Sequence, residues 1–189
     1  MPGPATNSDL PRVPKPGAPE LSRLHHKYVR LGQLRAGVGV NSAEDVREPL
    51  RELAREFPGS LREIDVLSSE RIQQRASALE GAALDGASEA PEWARVTHAY
   101  HLLMRTALWL KAELSAGVNA EQLATRVEAE FGVACTPRWI DRVKQPPRGR
   151  LNDLVFEALA AQFERSVAEL RGLIFPRGDA GEPRADGVH

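Results

Sequence analysis

The chain has 189 residues and a formal net charge of −1, with 42% apolar residues and 5% aromatics. That length suits one domain or two small ones, and the apolar share is enough for a real core. No run approaches the roughly 20 apolar residues of a membrane span, so no membrane partner is expected.

Ala, Leu, Arg and Glu dominate, and strand-type runs of Val, Ile, Thr and Tyr are hard to find, so the expected class is all-α. Residues 1–19 hold six prolines and no apolar segment of a secretory signal, and they read as a disordered Pro-rich arm. In ELSRLHHKYVRLGQLRA, Leu21, Leu24, Tyr28 and Leu31 recur at helical spacing, with Arg23, Lys27 and Arg30 on another face. This basic amphipathic helix opens a region, 20–90, of short acidic helices. Residues 1–40 carry six Arg or Lys against Asp9 and Glu20, while 41–91 carry six Arg against eleven Asp or Glu.

GVGVNS ends the first helix, and Gly37 and Gly39 make no phosphate loop, since no strand precedes them and no Gly-Lys-Ser follows. EDVREPLRELAREF is the next helix, with Pro49 expected only in a first turn. Phe57-Pro58-Gly59-Ser60 reads as a turn. LREID is then a short helical piece, and SSERIQQRASALEG a helix with Ser69 as cap and Gly81 as stop. The carboxylates of 44–89 read as surface ion pairs beside arginines. GAALDGASEAPE is the clearest linker.

EWARVTHAYHLLMRTALWLKAEL carries Trp93, Val96, Tyr100, Leu103, Ala107, Leu110 and Leu114 in steps of three and four. Leu102, Met104, Leu108 and Trp109 widen the stripe, so this helix is expected at the centre, packed on more than one side. His98 and His101 lie three apart with Arg105 on the same side. No further ligand converges on them, so no metal and no cofactor are expected, and the pair reads as a solvent-facing polar stripe. Asn119 caps AEQLATRVEAEF, with Leu123, Val127 and Phe131 inward and Gly132 as stop. Cys135 is the single cysteine, which fits a reducing cytosol and a cytoplasmic protein. Lacking a His and acid partner, it reads as a quiet, semi-buried thiol rather than a nucleophile. No enzyme is expected.

Thr136-Pro137 opens a short helix, PRWIDRVKQ, with Ile140 and Val143 inward, and PPRGR follows as a loop. Asn152 caps LNDLVFEALAAQFER, and Ser166 with Glu169 forms a capping box for SVAELRGLIF. Residues 176–189 read as a disordered tail.

Residues 91–175 are therefore five helices: one long, two about a turn, a loop, and two more. EQLATRV, RWIDRVKQ and ALAAQFERSVAEL together resemble the lambda-repressor-like, Xre-type helix-turn-helix family. Ala124 and Gly132 are eight apart, so the second helix would be one turn longer than usual. The turn GVACTP is expanded, and the family's Glu-x-Gly after the third helix is missing.

The resemblance implies a five-helix repressor-like bundle in which helix 137–145 reads double-stranded DNA as a transcriptional regulator. Asp141, Arg142 and Gln145 lie three, four and seven positions after Arg138, on one face opposite Ile140 and Val143. Arg suits guanine O6 and N7, and Gln suits adenine N6 and N7. Lys144, Arg148 and Arg150 would meet phosphates. Trp139 is carried with this set, with two readings: a packing residue or a base-stacking one. The competing function is a non-enzymatic adaptor whose acidic residues 20–80 bind a protein partner. A homodimer is compatible with either, since a single reading unit gains specificity from a two-fold partner.

Overall fold

The computed structural model describes residues 7–86, 90–144 and 151–177. Among these, nine α-helices follow one another: α1 (Ala18–Arg35), α2 (Ala43–Glu56), α3 (Ser60–Val66), α4 (Ser69–Leu84), α5 (Glu92–Ser115), α6 (Ala120–Phe131), α7 (Pro137–Lys144), α8 (Leu151–Phe163) and α9 (Val167–Ile174). The described residues contain no strand, only an isolated antiparallel bridge between Arg12 and Ala134. The all-α expectation is met.

Local chemistry accounts for most boundaries. Asn119 accepts the Gln122 amide at 2.9 Å, and Gly132 closes α6 at φ +65. Ser166 and Glu169 cap α9 reciprocally, through side-chain bonds of 2.9 and 3.3 Å to each other's amides. Four boundaries differ from expectation. The cap of α4 is Ser68, not Ser69, and the helix runs through Gly81 to Leu84, because a glycine stops a helix only when the chain turns left-handed there. Pro49 lies inside α2, since Ser42 caps the helix, in a box with Asp45, about two turns earlier. Asn152 does not cap α8: its Oδ1 accepts the Tyr100 hydroxyl at 3.0 Å, tying α8 to α5.

Two apolar clusters form the interior. In the first, Leu21, Leu24, Tyr28 and Leu31 of α1 meet Ile72, Ala76 and Leu79 of α4, with Ala90 and Ala94 at the start of α5. A Cβ on Gly32 would stand 3.3 Å from Ile72, so the two helices approach closely there. In the second, α6, α7, α8 and α9 pack around α5 from Val96 to Leu114. Helix α5 thus serves both clusters, as its apolar stripe predicts, although Leu108 stays 47% exposed. Arg75 of α4 ties the clusters together, donating to the Tyr28 hydroxyl at 3.1 Å and to the Leu173 carbonyl at 2.9 Å.

In the segment read as a disordered arm, residues 7–19 are ordered. Asn7–Asp9 form a 3-10 turn, and Leu10 and Val13 enter the second cluster. Arg12 and Ala134 exchange backbone bonds of 2.9 and 3.1 Å. The Gln162 amide clasps both backbone groups of Val13, each at 3.1 Å. Leu10 and Val13 are three apart and flanked by prolines, too sparse a pattern to count as an element. The missing donors of Pro11 and Pro14 nevertheless cost nothing in a single extended pass. This strap, residues 7–17, lies across the α6–α7 turn and α8.

Candidate functional site

Helix α7 stands at the surface because three of its eight residues, Trp139, Ile140 and Val143, are buried. A five-residue turn, 132–136, separates it from α6. Thr136 accepts the Trp139 amide at 3.3 Å and donates its hydroxyl to the Asp9 carbonyl at 2.9 Å, so the strap fixes where α7 begins. Pro137, Arg138, Asp141 and Lys144 face outward.

The sequence-predicted site residues part company here. Arg138 is exposed and donates to the Asp9 carboxylate at 2.8 Å. Arg142 is half-buried and grips both oxygens of Glu157 on α8, at 3.0 and 2.6 Å. Those bonds raise its guanidinium above the usual range and anchor α7 to α8. Lys144 is exposed. Trp139 is 1% exposed in the second cluster, which corrects its inclusion among the contact residues and favours the packing reading. Gln145, Arg148 and Arg150 lie outside the described residues. The outward face therefore carries Arg138, Arg142 and Lys144 against Asp9, Asp141 and Glu157.

A second set of charged groups went unread in the sequence. Lys27, expected on a solvent-facing basic stripe, is 1% exposed, and Glu63 is fully buried. The Lys27 ammonium donates to Glu63 Oε1 at 2.8 Å and meets His101 Nε2, so α1, α3 and α5 converge on one ion pair. Phe57 stacks edge-on to His101 with ring centres 5.2 Å apart and also covers Lys27. Burial pushes the Glu63 carboxyl up, but Lys27 and His101 outweigh it, and the group ends below the usual carboxylate range. Burial, with Lys27 adding to it, holds the His101 imidazole down to about 4 against the pull of Glu63. His101 is thus neutral and interior, not part of a polar stripe. The one signal for this cluster was Lys27 itself, one residue before Tyr28 and three after Leu24, at the edge of the apolar arc of α1.

Beside it, a cleft of about 250 Å3 opens between the strap, α1 and α5, lined among others by Lys15, Arg23, His98 and Arg105. His98 is half-buried there, and burial lowers its imidazole below the usual range. Cys135 is semi-buried, and burial pushes its thiol up to about 12, which leaves it protonated. Among the described residues no helix is long and apolar enough to cross a membrane. The chain matches no protein-family model, and no curated protein or solved structure is significantly similar to it.

Proposed function

We propose that the chain binds double-stranded DNA, with α7 as the helix that enters the major groove, and that it regulates transcription. One observation carries this reading. A short helix is pinned by Trp139, Ile140 and Val143, holds Arg138 and Lys144 outward, and runs directly into a segment containing Gln145, Arg148 and Arg150. The resemblance of residues 91–175 to the repressor-like family, noted from the sequence, also supports the reading. The ion pair on Arg138 does not oppose the reading. An exposed pair is worth about 0.2–1 kcal/mol, little enough for a phosphate to replace the carboxylate. Arg142 is assigned instead to holding α7 on α8.

The test is a titration into labelled random-sequence duplex at two salt concentrations, beside an Arg138→Glu/Lys144→Glu variant. Four phosphate contacts, from Arg138, Lys144, Arg148 and Arg150, give a log–log salt slope of about −3 to −4. Binding with that slope, lost in a variant that keeps its helical circular dichroism, is the expected result. No binding at low salt, or equal binding by the variant, would sink the reading.

A second reading, a non-enzymatic adaptor, draws on a different observation. The α7 face is charge-balanced, and α2 presents Glu44, Glu48, Glu52 and Glu56 one turn apart, all exposed. Arg47 and Arg51 partly neutralise that row through pairs of 2.7 and 3.3 Å. Such mixed surfaces suit a protein partner better than a polyanion.

A further inference from the structure

We propose that the strap is a built-in competitor for the α7 face: Asp9 occupies Arg138 as a nucleic-acid phosphate would, and so sets how strongly α7 engages DNA. This rests on the DNA-binding reading above.

The carboxylate is not a chance neighbour. Asp9 and Arg138 are 129 positions apart, and the strap brings them together. The strap is fastened at each step: the Asp9 carbonyl to Thr136, Arg12 to Ala134, Val13 to Gln162, with Leu10 and Val13 in the apolar interior. Fixing these points presents the carboxylate at a high local concentration, which a free acid in solution would not match. Arg138 also has Asp141 three residues along its own helix, an ordinary pairing distance, yet it bonds Asp9.

Carboxylate and phosphate make the same demand on a guanidinium: anionic acceptor oxygens at about 2.7–2.9 Å. The Asp9 carboxylate stands at 2.8 Å from Arg138 Nη1, with the arginine side chain 55% exposed. The contact is therefore accessible to a competitor from solvent. The strap plays two separable parts. Its backbone and apolar side chains place the turn 132–136 and hence α7, and its single carboxylate occupies the first cation of that helix.

Asp9→Asn separates the two parts, because it removes the charge and leaves the Asp9 carbonyl to Thr136. The experiment measures duplex binding by anisotropy for wild type, Asp9→Asn, Arg138→Gln, the double variant and Asp141→Asn. Amide exchange at Arg12 and Ala134 verifies that the strap stays docked. Asp9→Asn is expected to bind about two- to fivefold more tightly, the worth of one exposed pair. Its salt slope should stay that of the wild type, because a phosphate replaces Asp9 on Arg138 in both proteins and only the cost of displacing the carboxylate is gone. That gain should vanish in the Arg138→Gln background and exceed the gain from Asp141→Asn. Wild-type binding that Asp9→Asn leaves unchanged, or a gain that survives without Arg138, overturns the competitor and spares the DNA reading. Failure of every folded variant to bind overturns both. A silent wild type beside a binding Asp9→Asn supports both.

Discussion

Lys27 and Glu63 show how much one buried pair asks of its surroundings. Both lose their water, and their mutual contact, His101 and the rings of Tyr28 and Phe57 stand in its place. Removing one partner strands the other. Lys27→Met alone should therefore cost about 3–5 kcal/mol, whereas Lys27→Met with Glu63→Leu should come back to within about 1 kcal/mol of wild type. Urea denaturation of the three proteins reads this directly, and equal losses in single and double variants would contradict it. His101 adds a pH signature. Its folded-state value of about 4 lies below the ordinary 6.5, so the unfolded chain binds the proton more readily. Stability should then be level above about pH 6.5 and fall as pH drops from there to 4, where both states are protonated. The groups facing His101 are Lys27, which deepens the fall, and Glu63, which opposes it. His98 titrates in the same sense, so the comparison is made between His101→Gln, which should flatten the decline, and His98→Gln, which should leave most of it.

At the scale of elements, the legible and the illegible divide along physical lines. Helix α5 was readable because its stripe repeats for 24 residues, and α6 and α9 because a polar side chain and an amide three residues on meet in a fixed geometry. The strap was not readable, since its bonds run to residues over 120 positions away and leave no local period. The same limit hid Arg142: a helical spacing places a side chain on a face, but Glu157 on the next helix decides whether it is free. Gly59 is a short-range case where the turn signal was sufficient. It sits at φ +94, and a Cβ there would meet Tyr100 at 3.3 Å and Phe175 at 3.4 Å. Gly59→Ala should cost at least about 1–2 kcal/mol, the penalty of a left-handed non-glycine residue. A thermal melt unchanged by this substitution would mean that the turn before α3 relaxes freely.

For the whole molecule, the decisive feature is that one helix belongs to both interiors. Ala94 lies in the first cluster and Val96 in the second, less than one turn apart. The first cluster cannot lose its α5 contact without fraying the helix that centres the other. Trp93 packs against the first and Trp139 is buried in the second, so the chain carries a reporter for each. Fluorescence of Trp93→Phe and Trp139→Phe proteins, each also carrying Trp109→Phe, should give coincident urea transitions, shared with circular dichroism. Two midpoints would reveal halves that melt independently.

The clasp of Gln162 on Val13 has a consequence in time rather than in space. The two residues are 149 positions apart, so during synthesis Val13 emerges long before the side chain that clasps its backbone exists. Loops of that length close late, after the local helices have formed. The strap is made early and completed late, since Val13 waits for Gln162 of α8. A chain halted before residue 162 would carry the Thr136 and Ala134 fastenings and still lack the clasp on Val13.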